Sequence, residues 1–596
     1  DSGGSVSGGS GGTGGVGAAG GGGGGGGLIF SLDATVTNSG TVRGGVGGNG
    51  TLGNNTGLGG NGAGAFLSGS GGGSSIGGAG GGGGGAALSG PTLTIISNTG
   101  DIIGGNGGNG AVSPILGNGG SGGNGGGAIT ADMLTISGNT GTIRGGNGGN
   151  GQFGGNGGVA IRSALGMTIT NNIGGTIAGG NGNNGTAAGF PGAGGVAVGG
   201  ANAAIINAGF IAGGLSGDGV TRASAIEVSG VNSLELRQGW SITGNVKTFG
   251  DNTLILGGAA TDLTTNTAGT SFSTVFDTAQ IAPAGNTAAQ YQGFTAFKKT
   301  GVSTWQLVGA TAALTPWTIT GGTLRIESDA NLGAAAGMVT LDGGTLQATQ
   351  TFTTGRAMAI TGNNGTIRTE AGVTLTVAGI IADANGGTPG ALTKTGSGTL
   401  LLAGVNTYTG LTTIAGGTLA LSGDNAIAAS EGVVNNSVFD ISATTAGADI
   451  KTLSGAGSVL LGGRTLSLSA ASGEFTGIIS GNGGLRLEAG TETLSGASTY
   501  TGSTTIAGGT LRAGAANTFS PDSAVTVADN GALNLNGFSQ AIAGLNNSGL
   551  VNMGTGTAPG TVLTVNGNYV GNGGILAINT ALGADHAPPD QRAVTV

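Results

Sequence analysis

The chain has 596 residues, of which 146 are glycine and 7% are charged, with a formal net charge of −9 and no cysteine. The excess of acidic over basic residues argues against a nucleic-acid partner, because no cluster of Lys and Arg is present to neutralise phosphates. The absence of cysteine excludes a disulfide framework and a thiolate metal site. No apolar run reaches the roughly 18 residues of a membrane-spanning helix. A single compact core is unusual at this length, whereas a solenoid grows along one axis.

The N-terminal part of the chain is dominated by a glycine-rich repeat. Residues 1–27 are almost entirely Gly, Ser and Ala, which predicts an N-terminal arm, and the first strand is predicted at 28–32. From 28 to 214 each copy has a short alternating strand, an Asn, and a second strand that closes on a Gly-Gly pair. A further short strand precedes the later copies, so three strands per unit predict a three-sided rung. The Gly-Gly pairs begin at residues 44, 104, 145, 179 and 213.

The spacing of these pairs shows where the variable residues lie. The intervals are 60, 41, 34 and 34 residues, while the strands stay constant. The additional residues therefore lie in one connection at one corner, with tracts such as GGNGGNG. A period of three predicts extended left-handed segments that pack side by side in a glycine-rich slab, as glycine does at a crowded axis. Flexible loops are the alternative, which the sequence leaves open.

A packed slab has consequences for partners. Its rim would carry unpaired amides and carbonyls, which invite another chain to add on. We therefore expect subunit contacts of a filament or lattice in this half, with residues 1–27 reaching into a neighbouring copy.

The recurring Asn of the repeat has two compatible interpretations. It occupies equivalent positions in successive copies, at Asn38, Asn98, Asn139, Asn172 and Asn207. Asn tolerates the left-handed backbone conformation at a corner. Alternatively, the side-chain amides stack into a hydrogen-bonded ladder.

From 215 to 300 the glycine tracts stop and the strands lengthen, which predicts a transition region. Four aromatic residues gather before the next repeat: Trp240, Tyr291, Phe294 and Phe297. We expect them to mark the change to a better-filled core.

Residues 301–515 carry a second repeat with a long period. The sequence from Leu392 to Gly423 is LTKTGSGTLLLAGVNTYTGLTTIAGGTLALSG, and its second half returns at 498–514. A weaker copy precedes it, starting at Lys299. Alternation with Gly-Gly bends predicts a β-solenoid with rungs of about 20–25 residues. The residues expected to face the core are Leu400, Leu402, Ile414, Leu419 and Leu421.

The pattern GxGTLxLxGxNTYTGxTTIxxGTL in these residues resembles the passenger-associated transport repeat of bacterial autotransporter passengers. The resemblance implies an all-β fold, a right-handed three-sided parallel β-helix (β-solenoid), here with Gly-rich insertions at one corner. It also implies export through the outer membrane of a Gram-negative bacterium by a C-terminal barrel, and display outside the cell. Such repeats are thought to assist export and folding.

Residues 516–596 are expected to complete the β-helix and to begin an autochaperone-like segment. The segment 582–596 resembles the LGxDxSxxDRLxVxG motif that opens this region in many passengers, and Asp585, Asp590 and Val594 match it. Ala587 and Ala593 depart from it. The autochaperone region and the barrel are expected beyond this chain.

The sequence predicts no catalytic, cofactor-binding or metal-binding residues. His586, the single histidine, lies among prolines at 585–590 and is expected to belong to a mobile tail. The GxSxG match at 119–123 is attributed to chance in a glycine-rich chain, and 213–218 only faintly resembles a calcium-binding nonapeptide. No phosphate-binding GxxxxGK[ST] motif occurs.

These observations predict a non-enzymatic structural or adhesive fibre at the cell surface. Its possible partners are further copies of itself and a host or surface glycan or protein. The alternative is a β-helical enzyme that acts on polysaccharides. Such enzymes place carboxylate, Arg and Lys clusters in a groove, and no cluster is evident in the sequence.

Overall fold

The computed structural model of this chain describes residues 5–13, 20–52, 60–62, 71, 78–112, 119–186, 190–258, 264–265, 271–272, 274–286, 288–384, 387–423, 426–554, 560–578, 580–581, 590–591 and 594–595. As predicted, the chain is all-β, and most of its strands pair in parallel. It divides into two compact units, Asp1–Lys298 with Thr311–Ala313 and Lys299–Ala310 with Leu314–Val596. Two short 3-10 helices are described, Thr278–Gln280 and Asp329–Leu332.

The first unit alternates short and long strands, and each kind stacks in its own parallel sheet. The short strands are Ser5–Ser7, Thr41–Arg43, Asp101–Ile103, Thr142–Arg144, Thr176–Ala178, Phe210–Ala212 and Ser241–Thr243. The strands of the second sheet are Leu28–Ile29, Ala34–Asn38, Leu88–Asn98, Ile129–Asn139, Ile161–Asn171, Val198–Ala201, Ala203–Asn207, Ile226–Leu236, Val246–Leu256, Ile281–Ala282 and Tyr291–Gln292. The other strands are Thr264–Thr265, Ser271–Phe272, Val275–Asp277 and, at the unit boundary, Ala296–Lys299.

Three described glycine-rich rungs contain two strands, whereas the rungs that end with Thr41–Arg43 and with Phe210–Ala212 contain the three predicted from the sequence. The predicted short strand at 127–129 and the alternating strand after it are parts of one strand, Ile129–Asn139. The equivalent strand is divided at 198–207, where Gly200 and Asn202 have positive φ and interrupt the extended backbone. The hand and the number of sides of the winding remain predictions. The tracts do begin where expected, directly after the short strands.

The glycine tracts pack in two layers. One layer follows the short strands and the other leads into the long strands. Their described parts are 8–13, 44–50, 104–111, 145–152, 179–185 and 213–217 in the first layer, and 20–27, 78–87, 119–128, 153–160 and 190–197 in the second.

Each tract repeats a three-residue hydrogen-bond pattern. The first amide of a triplet donates within its own layer, as Gly47 N does to Asn106 O at 2.9 Å. The second donates to the other layer, as Gly48 N does to Gly22 O at 2.6 Å. The third residue, Asn106 for example, is exposed. This period is that of an extended left-handed helix without internal hydrogen bonds.

At most glycine positions inside this slab, no larger residue fits. A Cβ atom on Gly45 would lie 2.0 Å from Gly9 O, and one on Gly105 would lie 2.0 Å from Gly45 O. Packing and backbone hydrogen bonds therefore order the described tracts, which are not independent loops.

The recurring Asn side chains form a buried ladder, in which Asn171 occupies the place predicted for Asn172. The Asn38 amide donates to Asn98 Oδ1 at 2.7 Å, Asn98 to Asn139 at 2.7 Å, Asn139 to Asn171 at 2.8 Å, and Asn171 to Asn207 at 2.8 Å. None of these five has a positive φ. The interpretation as a ladder is therefore confirmed. The left-handed corner is wrong for these residues, because each ends an extended strand.

An aromatic cluster lies near the last strands of the first unit. The rings of Trp240 and Tyr291 are 6.2 Å apart, and Phe276 lies 5.2 Å from Tyr291. Phe294 and Phe297 are buried, as expected for a filled core.

The second unit consists of short strands in parallel sheets, with rungs close to the predicted 20–25 residues. One sheet contains Thr304–Val308, Thr323–Ile326, Thr345–Ala348, Gly365–Thr369, Leu392–Thr395, Thr412–Ile414, Val433–Asn435 and Leu453–Ser454. A second contains Phe352–Thr354, Thr374–Val377, Thr399–Leu402, Thr418–Leu421, Val438–Asp440, Ser458–Leu460 and Ile478–Ser480. A third series is Trp317–Ile319, Val339–Leu341, Met358–Ile360 and Ile381–Asp383.

The later rungs of this unit have the remaining strands. They are Ala448–Ile450, Leu466–Leu468, Glu474–Phe475, Leu485–Leu487, Thr491–Leu494, Thr504–Ala513, Ala524–Asn534, Gln540–Ile542, Gly544–Asn547, Leu550–Asn552, Leu563–Val565, Tyr569–Gly571, Ile575–Ala577, Thr580–Ala581, Asp590–Gln591 and Val594–Thr595.

The core of the second unit lies between its sheets. Alternate residues of each strand point inward, and the five positions predicted to face the core, Leu400, Leu402, Ile414, Leu419 and Leu421, are all 0% exposed. Within the described residues, no helix is long and apolar enough to cross a membrane.

Candidate functional site

The residues considered for chemistry in the sequence have structural roles where they are described. Ser121 of the GxSxG match lies in the slab, and its carbonyl accepts from the Gly81 amide at 2.9 Å. Asp218 accepts from Ser216 Oγ at 2.5 Å and from the Val220 amide at 3.0 Å, within one turn. The Ser216 hydrogen bond is the main cause that lowers the pKa of Asp218. His586 and Asp585 lie outside the described residues, and among those described no group of three His, Cys, Asp or Glu could share a metal ion.

The first candidate site is the free edge of the glycine slab. Residues 5–13 were expected to belong to an arm that reaches into a neighbour, but Ser5–Ser7 pairs in register with Thr41–Arg43 of the same chain. Gly8 N donates to Arg43 O, and Gly22 N to Gly12 O at 2.7 Å. The segment is therefore the first rung of the slab. An arm was predicted because a sequence of Gly and Ser has no apolar pattern that would indicate packing. Packing in the slab uses backbone contacts and needs no apolar pattern.

Among the described residues, no tract packs on the outer side of this first rung. Two series of hydrogen bonds alternate between the layers. In one of them Gly25 N donates to Gly9 O, Gly45 N donates to Gly25 O, and Gly85 N donates to Gly45 O. Their first residues, Gly9 and Gly12, are exposed, and a Cβ on either would meet nothing within 4 Å. In the described part of the chain no backbone acceptor receives either amide. The rim of polar groups predicted from the sequence therefore corresponds to this edge.

The second candidate site is a notch in the long-strand sheet of the first unit. Strand register places Arg162, Gly199, Glu227 and Lys247 in one row that crosses four rungs. Two cavities of about 300 Å³ and 340 Å³ share the Arg162 side chain. Phe249, which is 48% exposed, lines the first cavity.

Sequence reasoning missed this row and found no cluster of carboxylate, Arg and Lys. The signal was present, because each of these residues follows a recurring buried residue: Ile161, Val198, Ile226 or Val246. Variable glycine tracts separate the copies, so the positions align only when the rung register is known.

In the transport-type repeats of the second unit, the motif residues make buried polar contacts. Lys394 Nζ donates to the carbonyls of Thr395, Gly396 and Gly416 at 2.8, 2.9 and 3.0 Å. A positive φ at Gly396 curls the backbone around the ammonium group. Burial lowers the pKa of Lys394 to about 8. Lys299 binds the three equivalent carbonyls of the earlier copy.

A second buried contact explains the TYTGxTT run. Tyr408 shares a 2.7 Å hydrogen bond with Thr412 Oγ1, which lies 3.0 Å from Ser430 Oγ in the next rung. Tyr500, Thr504 and Ser523 repeat this arrangement at 2.7 and 2.8 Å. Each set links a turn to the following rung, so the motif residues hold the core together.

The third copy departs from this pattern in its core. Glu492 pairs with Leu511 as Leu400 pairs with Leu419, so a carboxyl group occupies an apolar position. Glu492 is 0% exposed, and among the described residues no donor meets either of its oxygens with good hydrogen-bond geometry. Burial raises the pKa of Glu492 to about 8, and nearby backbone amides oppose the shift only in part.

Comparison with known proteins agrees with these motifs. The model of the passenger-associated-transport-repeat family matches residues 297–326, 392–421 and 487–513. These stretches contain both lysine sites and the two Tyr–Thr pairs.

Three curated proteins resemble parts of the chain. The chain is 42% identical over 90 residues to the adhesin BmaC autotransporter of Brucella suis biovar 1. The aligned stretch covers 15% of this chain and 3% of that protein. Two uncharacterized proteins of Escherichia coli K12 also match. YdeU is 56% identical over 36 residues, covering 6% of this chain and 8% of that protein, and YuaQ is 41% identical over 69 residues, covering 12% and 5%. The chain thus matches a small part of each relative's length, and no solved structure matches it.

Proposed function

We propose that the chain is an autotransporter passenger that acts as a non-enzymatic structural and adhesive fibre and associates with further copies of itself through its glycine-rich unit. The three matches to the passenger-associated transport repeat and the similarity to an autotransporter adhesin support this proposal. A passenger of this class is secreted to the cell surface by way of the outer membrane. The chain would act outside a Gram-negative cell.

The observation that carries self-association is the free edge of the slab. Gly9 and Gly12 present amides at the spacing that later tracts use to contact one another. A backbone edge without a partner adds a further chain readily, because main-chain hydrogen bonds need no side-chain complementarity. Each added bond contributes about 0.5–1.5 kcal/mol net, and aligned hydrogen bonds strengthen one another.

The test uses the steric contrast between the edge and the interior. A Cβ atom at Gly45 would clash with Gly9 O at 2.0 Å, whereas a Cβ at Gly9 or Gly12 meets nothing. The double variant Gly9→Ala/Gly12→Ala should therefore fold normally but block a neighbouring tract. Light scattering of residues 1–596 should detect association of the parent and not of the variant, and negative-stain images should show how the copies join.

The control is Ser10→Ala, which changes the exposed third position of the same triplet. It should associate as the parent does. Unchanged melting by circular dichroism confirms that the double variant has folded. Association of the double variant at the parent's level, or a parent that stays monomeric, would contradict the proposal.

The adhesive part of the proposal is supported by one relative, the autotransporter of Brucella suis that is named an adhesin. The polysaccharide-acting enzyme remains the alternative and has a direct assay. Acidic and neutral polysaccharides are incubated with the chain, and their length is followed by size-exclusion chromatography. The proposed fibre leaves their length unchanged, and shortening would favour the enzyme.

A further inference from the structure

We infer that the notch around Arg162 binds an acidic oligosaccharide. This inference rests on the proposed adhesive function and deepens it, because it gives that function a ligand class and a location. The notch consists of the two cavities that share Arg162, Gly200 and Ser229. Their volumes of about 300 and 340 Å³ lie at the lower end of the range for small-ligand sites.

Arg162 is available to a ligand. Arginines elsewhere in the chain donate within it: Arg144 to Asn147, Arg222 to Gly213 and Arg464 to Thr445. Others pair with carboxylates at Glu235, Asp329, Glu370 and Glu488. In the described residues Arg162 has neither kind of partner and is exposed. A guanidinium binds a carboxylate through two parallel hydrogen bonds, which predicts an anionic group here.

Gly199 leaves room for that ligand. It lies between Arg162 and Glu227 in the row, and these two residues are therefore two rungs, about 9.6 Å, apart along the sheet. The backbone does not require glycine at this position. Its φ is not positive, and a Cβ atom would approach its neighbours no closer than 3.8 Å. At Gly200, by contrast, a Cβ would lie 2.0 Å from Ser163 O. The fold therefore does not require glycine at position 199, and the missing side chain leaves the notch open.

The chemistry of the walls favours a saccharide over an acidic peptide. Glu227 and Ser229 are exposed and offer oxygens that hydrogen-bond hydroxyl groups, and Phe249 offers an apolar ring face. The strands that form the notch have partners on both sides: Val198–Ala201 lies between Ile161–Asn171 and Ile226–Leu236. No strand edge is therefore open there for the main-chain hydrogen bonds that extended peptides use.

The experiment measures binding of defined probes to residues 1–596 by isothermal titration. The probes are an oligogalacturonate, a neutral oligosaccharide of equal length and an oligoglutamate. We expect the parent to bind the oligogalacturonate in preference to the other two. Arg162→Ala should weaken this binding about tenfold or more, as loss of a charge-assisted contact does. Gly199→Leu should weaken it similarly by filling the notch.

The matched control is Arg43→Ala, another exposed arginine, which lies in neither cavity. It should bind as the parent does. Equal oligogalacturonate binding by the parent and Arg162→Ala, or no binding by the parent, would overturn the inference, and preference for oligoglutamate would indicate a peptide ligand instead. Self-association of Arg162→Ala should be unchanged, so failure of this site is distinguishable from failure of the proposed fibre.

Discussion

Replacement of Glu492 by Gln should make the protein more stable in neutral and alkaline solution and leave it little changed in acid. Glu492 is fully buried at a position where an equivalent repeat has Leu400, and no donor among the described residues meets its carboxyl oxygens with good hydrogen-bond geometry. Gln keeps the shape of the side chain and removes the charge. The difference between parent and variant therefore reports the cost of ionising this one group.

The sign and size of the effect follow from the raised pKa. Burial raises the pKa of Glu492 from an ordinary 4.5 to about 8, so the folded chain keeps a proton that the unfolded chain loses. Stability that depends on this proton is fully present below pH 4.5 and is lost as the pH rises toward 8. Each pH unit in this window costs about 1.4 kcal/mol, and the whole window costs up to about 5 kcal/mol.

The assay is chemical denaturation of the parent and of Glu492→Gln at several pH values, followed by circular dichroism. The difference in free energy of unfolding should be flat below pH 4.5, rise in favour of Gln up to about pH 8, and then level off. Glu488→Gln is the control, because Glu488 is exposed and pairs with Arg486, and it should show no such rise. Parallel stability curves for the parent and Glu492→Gln would refute the reasoning.

Three further substitutions test the packing. Gly108→Ala would place a Cβ 2.1 Å from Gly48 O and should destabilise the slab by about 1–3 kcal/mol, measured by thermal melting. Asn139→Leu would interrupt the buried ladder, and each orphaned amide should cost about 1–3 kcal/mol, visible as a lower denaturation midpoint. Leu419→Asp should disrupt neighbouring rungs, whereas Thr418→Asp, at a half-buried position, should be tolerated; a Leu419 variant that melts like the parent would contradict its core position.

The sequence predicted the parts of the fold that repeat. The period-two pattern and the Gly-Gly bends located strands such as Thr418–Leu421 and the core positions within them. The Asn ladder was one of two compatible interpretations, and the side-chain hydrogen bonds confirm it. The prediction of three strands per rung is confirmed for two of the described glycine-rich rungs and is wrong for the other three, since a continuous strand and two strands joined without a turn have the same pattern.

The remaining features depend on contacts between distant residues. Arg162, Glu227 and Lys247 come together only through the rung register, which tracts of variable length conceal. Arg356 is buried and binds the Asp329 carboxylate at 2.7 Å, and no repeat marked it. Residues 5–13 pack by backbone contacts alone, so no side-chain pattern could indicate their place in the slab.

Hydrogen exchange in the glycine tracts is the most direct test of the slab. Tracts 44–50 and 104–111 carry almost no side chains that could bury apolar surface, so their amides exchange slowly only if the hydrogen bonds between tracts exist. We predict that the first two amides of each triplet exchange as slowly as those of the strand Ile129–Asn139. Exchange throughout both tracts at the rate of an unstructured glycine peptide would contradict the hydrogen-bonded slab and, with it, the proposed assembly edge.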